Sequence, residues 1–298
     1  MKILITGGSG QVGFELQRSL LLFGDILAPG RTILDLYDAQ AVTDYLEHNT
    51  PDLIVNAAAY TDVDKAEEQR DSAWRLNADM PAQLADHAAR HDIPLVHYSS
   101  DYVYSGEGHR AWQEDDAPAP LNVYGRTKLA GDQAIQGSGC RHLIFRTSWV
   151  YGLHGRNFVK TMLRLGKERD VLKVVDDQVG APTSARLIAQ VTALALHRWL
   201  LAPHTSPVRS GLYHLAPQGE TTWHGIACEI FRQAAAMDDV LRISPERVAA
   251  IPTAEYPTPA RRPLNSRLCC QALEQALGIT LPTWQRQLVL TMQEIAQP

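Results

Sequence analysis

Apolar residues in the first half of the chain come in short runs separated by stretches of helical spacing. Residues 2–6, 25–28, 53–56, 95–99, 142–146 and 171–175 carry the runs and are predicted strands. Residues 11–23, 39–48, 72–91, 123–136 and 157–167 repeat apolar positions three and four apart and are predicted helices. Strands alternating with helices build βαβ units, and right-handed crossovers turn these into a parallel sheet covered on both faces. The predicted class is α/β: a doubly wound parallel sheet of the Rossmann type, with ligands at the carboxyl ends of the strands.

Past residue 150 the rhythm becomes irregular. Helical patterns recur at 184–201, 223–237, 270–277 and 283–295, with short strands such as 212–215 between them. Pro252, Pro257, Pro259 and Pro263 crowd one stretch that also carries Arg261 and Arg262, and residues 203–210 read as an exposed loop. Residues 1–150 are therefore expected to form mainly the Rossmann domain. Residues 151–298 are expected to form mainly a smaller α/β substrate lobe, interleaved in sequence, with some segments returning to the first.

Composition narrows the function classes. The 298 residues are 45% hydrophobic and 20% charged, which is ordinary for a globular protein that buries a large core. A net charge of -5 gives no electrostatic case for nucleic acid or an anionic membrane surface. No apolar stretch is long enough to span a bilayer, and the start shows no basic segment, apolar region and cleavage site. Cys140, Cys228, Cys269 and Cys270 form no CxxC pair and no metal spacing, so reduced thiols in a cytoplasmic protein are expected. The 11 histidines include no HExxH, and no metal site is expected.

The candidate chemistry begins where the first strand ends. Gly7-Gly8-Ser9-Gly10-Gln11-Val12-Gly13 leads directly into a helical pattern. Glycines permit the tight turn and the close approach of backbone to phosphate, and the helix start offers unpaired N–H groups and a positive dipole end. Between a strand and a helix, this turn predicts a dinucleotide pyrophosphate site. NAD-binding folds usually place a carboxylate after the second strand, but this chain reads Ala28-Pro29-Gly30-Arg31. Arg31 makes NADPH the expected cofactor, with NADH open as a second one; the alternative is a solvated loop arginine. Asp35 and Leu36 are placed to flank the adenine. The third strand ends in Ala57-Ala58-Ala59-Tyr60-Thr61, where small residues let a flat cofactor, or a packed helix, lie against the backbone. The fourth strand ends in Tyr98-Ser99-Ser100-Asp101, which supplies hydroxyls at a carboxyl end. Tyr124 and Lys128 then stand four apart on one helix face. An ammonium near a phenol lowers its pKa from about 10. Such a tyrosine can pass a proton to a carbonyl oxygen as hydride reaches the carbon.

These strings resemble an extended short-chain dehydrogenase/reductase, and within that superfamily the dTDP-4-dehydrorhamnose reductase family, along nearly the whole chain. The resemblance is carried by the glycine turn and by NAAAYTD at 56–62, YSSDYV at 98–103 and PLNVYGRTKLAG at 120–131. RTSWVYG at 146–152, NFVKTML at 157–163, DQVGAPT at 177–183, GLYHL at 211–215 and YPTPARRPLNSRL at 256–268 extend it. It implies reduction of the C4 keto group of dTDP-6-deoxy-L-lyxo-4-hexulose to dTDP-L-rhamnose by NAD(P)H. Ser100, Tyr124 and Lys128 would be catalytic, with Ser100 where many relatives carry threonine. Gly7, Gly10, Gln11, Val12, Gly13, Arg31, Asp35, Leu36, Ala59, Tyr60, Thr61, Tyr98, Tyr124 and Lys128 would contact the cofactor. Ser100, Asp101, Trp149, Asn157, Arg262 and Asn265 would contact the dTDP-sugar.

Some members bind Mg2+ at a dimer contact through glutamates. Glu15 and Glu294 match that set, but Arg186 stands where another acid is expected, which argues against Mg2+ and leaves a homodimer open. Two rival readings share parts of the pattern. Nucleotide-sugar 4,6-dehydratases and 4-epimerases carry the same turn and YxxxK, but a dehydratase typically follows the active hydroxyl with Asp-Glu, and here Asp101 precedes Tyr102. The regulatory subunit of methionine adenosyltransferase is a non-catalytic relative, against which the complete Ser100, Tyr124 and Lys128 set argues.

Overall fold

The computed structural model describes residues 1–201, 207–237 and 240–296. β1 (Lys2–Thr6) opens the chain with Ile3, Leu4 and Ile5 buried. Apolar side chains on both faces of one strand are what a sheet covered on both sides requires. α1 (Gln11–Ser19), β2 (Asp25–Leu27), α2 (Ala39–Asn49) and β3 (Leu53–Asn56) follow. α3 (Arg70–Trp74), a π-helical turn (Arg75–Asp79) and α4 (Met80–His91) run on into β4 (Leu95–Ser100). α5 (Val123–Gly137) leads to β5 (His142–Thr147).

The π turn interrupts what the sequence predicts as one regular helix. It turns Asn77 inward, where its amide bonds the Tyr60 backbone N–H and carbonyl and the Thr127 hydroxyl. α5 comes close to this turn at Gly131, where a Cβ would stand 2.2 Å from the Asn77 carbonyl oxygen.

The second half contributes β6 (Val150–Tyr151), α6 (Phe158–Glu168), β7 (Leu172–Val175), β8 (Val179–Gly180), β9 (Thr183–Ser184) and α7 (Ala185–Leu196). Then come β10 (Gly211–His214), β11 (Thr221–Thr222), α8 (Trp223–Ala236), β12 (Val248–Ile251), α9 (Gln271–Leu277) and α10 (Trp284–Ala296). Side chains cap many helices and satisfy their first N–H groups. Asn122 caps α5, Asn157 caps α6, Ser184 caps α7 and Thr222 caps α8.

The main sheet has six parallel strands in the order β10-β5-β4-β3-β1-β2. This is the expected α/β class, but its sixth strand is β10 rather than the run at 171–175. That run does form a strand, β7, which pairs with β12 in a separate two-stranded sheet.

One face of the main sheet packs on α1 and α7, through Ile3, Ile5, Leu16, Leu20, Ile188 and Leu196. The opposite face packs on α2 and α4, through Leu4, Ile54, Val42, Leu46 and Leu84. Burying each such aliphatic side chain contributes about 1.5–3 kcal/mol over leaving it exposed. A second core joins α6, α8 and α10 through Val159, Met162, Ile230, Phe231, Leu288 and Met292. Of the loop expected at 203–210, residues 203–206 lie outside the described residues. In the remainder Val208 is buried in the first core rather than exposed. The four cysteines are free, and no described helix is long and apolar enough to cross a membrane.

Candidate active site

The carboxyl ends of β1, β3, β4 and β5 open onto a cleft of about 730 Å³. At one end is the glycine turn. Gly10 N–H donates to the Gly7 carbonyl at 2.9 Å, closing the turn. Gly7 has φ +69°, and a Cβ there would lie 2.7 Å from the Ala58 nitrogen. A Cβ on Gly13 would lie 2.2 Å from the Gly7 oxygen, so Gly13 packs the turn from behind. α1 starts after Gly10 with no side-chain cap, which leaves first-turn N–H groups without an intrahelical or side-chain partner. A glycine cradle and uncapped helix amides fit a dinucleotide pyrophosphate.

The far end of the cleft collects Ser100, Asp101, Tyr124, Lys128 and Trp149. The Ser100 hydroxyl accepts from Tyr102 N–H at 3.2 Å and donates to Asp101 Oδ1 at 3.0 Å. The neighbouring Ser100 hydroxyl acts to lower the pKa of the Tyr124 phenol. Burial dominates, however, and pushes Tyr124 up to about 12. This corrects the expected tuning of Tyr124 by Lys128. The Lys128 ammonium donates instead to the Tyr98 carbonyl at 2.6 Å, and burial lowers its own pKa to about 8. Asp101 is also buried and is raised to about 6. Trp149 holds a left-handed backbone, φ +48°, which is strained for a bulky residue and aims its ring onto Trp223 at 4.1 Å.

Gly7, Gly10, Gln11, Val12, Ala59, Thr61 and Tyr98 line the same cleft. Other predicted contacts do not reach its lining. Tyr60 is turned to Gln69. Arg31 projects into solvent, pairs with Asp35 at 3.7 Å and lies over the Tyr37 ring, while Leu36 packs against the core beneath α2. Asn157 caps α6 and donates to the Gln11 side chain and the Gly152 carbonyl, tying α6 to the glycine turn. Arg262 pairs with Asp64 at 2.7 Å and lines a neighbouring cavity of about 770 Å³ with Arg261 and Arg267. Asn265 is buried and its amide donates to the carbonyls of Glu107 and Arg110.

The lining includes residues that were not anticipated, among them Tyr102, Thr147, Arg156 and Trp223. Thr147 ends β5, so the rule that sites lie at carboxyl ends of strands would have found it. Trp223 carries no such signal, because it comes from the start of α8, which packs in the second core.

The magnesium set of the resemblance does not fit here. The Arg186 guanidinium donates to both Glu15 oxygens at 3.1 and 3.2 Å and also to Glu294, so a fixed cation already joins the two carboxylates. Among the described residues no group of three or more His, Cys, Asp or Glu could hold a metal.

The model of a family described as the RmlD substrate binding domain matches residues 1–297. A dTDP-4-dehydrorhamnose reductase of Shigella flexneri is 46% identical over 294 residues, which is 96% of this chain and 95% of the relative. A crystal structure of a dTDP-4-dehydrorhamnose reductase from Clostridium acetobutylicum superposes with a TM-score of 0.88 at 36% identity, covering 99% of each chain. One from Bacillus anthracis, solved in complex with NADP, has a TM-score of 0.88 at 33% identity and covers 98% of this chain and 99% of that one.

Proposed function

This chain belongs to the RmlD substrate binding domain family, and on that premise we propose that it reduces the C4 keto group of dTDP-4-dehydro-L-rhamnose to give dTDP-L-rhamnose, with NADPH as the reductant. The observation that carries the reading is one continuous cleft, with a pyrophosphate cradle at one end and Ser100, Tyr124 and Lys128 at the other. The bound dinucleotide supplies the hydride. Tyr124 holds a proton at neutral pH and gives it to the C4 oxygen. The Ser100 hydroxyl turns from Asp101 to donate a hydrogen bond to the same oxygen and steadies the developing charge. Lys128, held by the Tyr98 carbonyl, directs a remaining N–H toward the cofactor ribose. Trp149 and Trp223 wall the sugar end and exclude water.

The second lobe would hold the nucleotide part of the substrate, with Arg262 and its arginine neighbours suited to a diphosphate by charge and by their forked donors. A cytoplasmic setting fits the free thiols. The relative from Bacillus anthracis supports NADPH as the dinucleotide. The decisive assay supplies the dTDP-4-keto sugar and NADPH, and follows absorbance loss and product. Stoichiometric oxidation with dTDP-L-rhamnose formed is the expected result. No oxidation would favour a non-catalytic subunit, and sugar conversion without net oxidation would favour an epimerase.

Arg31 is the candidate for the 2′-phosphate. Its contact with Asp35 is long and solvent-exposed, so little energy opposes its turning to a phosphate. Arg31→Ala is expected to lower the NADPH/NADH ratio of kcat/KM by about tenfold, the worth of one hydrogen bond to a charged group. An unchanged ratio would remove Arg31 from cofactor selection.

A further inference from the structure

Beneath the cleft, four polar side chains form a row through the sheet interior. Thr6, Asn56 and His97 are register partners on β1, β3 and β4, so their side chains share one face. Thr6 Oγ1 lies 2.6 Å from one end of the Asn56 amide. The other end lies 2.9 Å from His97 Nδ1, and His97 Nε2 lies 3.3 Å from Lys128 Nζ. All four residues are 2% exposed or less. Polar groups at this depth persist only when their hydrogen bonds are made.

We infer that His97 is a positioning residue for Lys128: the neutral ring accepts a hydrogen bond from the ammonium at Nε2, and Asn56 and Thr6 lock the tautomer that allows it. An ammonium has donors and no acceptor. One donor goes to the Tyr98 carbonyl. An N–H on Nε2 would set donor against donor, so the ring proton belongs on Nδ1. That N–H needs an acceptor, and the amide end beside it supplies one when it is the oxygen. In the structure Asn56 Oδ1 faces Thr6 and Nδ2 faces His97; the reversed amide that this tautomer demands puts the NH2 against Thr6 Oγ1, which can accept. The charge on Lys128 thus dictates ring tautomer and amide orientation, neither of which heavy-atom positions alone determine.

The charged groups around the pair agree with this arrangement. Asp132, one turn further along α5, favours the ammonium and is itself paired with Arg146 from β5. Tyr124, one turn earlier, is kept neutral by burial. Burial and the Lys128 charge hold His97 well below the usual histidine range, so it stays neutral. Burial alone drives Lys128 toward the amine, and the His97 lone pair opposes that drift.

The inference rests on the proposed role of Lys128 in the reductase, and two experiments separate the failures. The first uses the wild-type protein without substrate. Long-range 1H–15N spectra of histidine-labelled protein at pH 7 are expected to show His97 protonated on Nδ1 and bare on Nε2. An Nε2–H tautomer or an imidazolium would overturn the inference, whatever the protein catalyses. The second compares His97→Gln, whose amide reaches the Nε2 position, with His97→Asn, whose amide ends near Nδ1. The alkaline limb of kcat/KM is expected to stay in place in His97→Gln. In His97→Asn it is expected to move down by about one pH unit, as loss of a hydrogen bond to a charged form predicts. Identical limbs in the two variants would overturn it. If neither variant folds, the wild-type spectrum decides.

Discussion

Tyr124→Phe is expected to lower kcat by about 10²–10⁴-fold, the usual contribution of a positioned general acid. The phenylalanine keeps the ring that meets Tyr102 edge-on at 5.5 Å, so packing survives and only the hydroxyl is lost. The half-buried phenol, pushed up to about 12, holds its proton at neutral pH, which suits a group that must give a proton away. That proton moves only in the transition state, so the loss falls on kcat, and cofactor affinity changes little. Steady-state NADPH oxidation paired with a cofactor titration would measure both. Turnover at the wild-type rate would rule Tyr124 out as the donor.

Asp132→Ala is expected to destabilise the fold by about 3–5 kcal/mol, the range for removing one partner of a buried ion pair. Asp132 accepts from Arg146 Nε at 3.0 Å and from the Ser99 hydroxyl at 2.9 Å, and both charged side chains are almost wholly buried. Burial raises the Asp132 pKa, and the charges of Arg146 and Lys128 oppose that rise. Without the carboxylate, Arg146 retains the Tyr104 hydroxyl as an acceptor but no countercharge. A guanidinium cannot escape by losing its proton. Denaturant unfolding at unchanged m would report the loss, and replacing both charges together, as Asp132→Leu with Arg146→Met, is expected to recover part of it. A loss below about 1 kcal/mol, as for an exposed pair, would show that the two charges are not coupled as the structure implies.

Much of this was legible where signals are local. β1, the glycine turn and α1 adjoin in sequence, and strand alternation followed by helical spacing identifies them. Tyr124 and Lys128 share one helix, so four-residue spacing is enough to bring them together. Their electrostatics were not legible, because the pKa of Tyr124 depends on burial by distant segments. Nor were the partners of Asn157 and Asn265. Both sit in strings that resemble a substrate site, yet each amide is spent on the fold, Asn157 on Gln11 and Gly152 and Asn265 on Glu107 and Arg110. His97 was passed over because one histidine in an apolar strand gives no periodic signal. The sixth strand was misplaced because 171–175 and 211–214 are both short apolar runs, and only the crossover made by α7 decides between them.

That crossover bears on how such a protein can be recombined. α7 and β10 come from the second half of the chain but complete the first sheet. A chimera spliced near residue 150 to acquire another sugar specificity would exchange α7 and β10 along with the segments of the second core. The donor would then have to supply a helix that fits Leu16 and Leu20, and an edge strand that fits β5. Productive splice points lie on either side of the returning segment, so a transplant of substrate preference has to be made in two pieces.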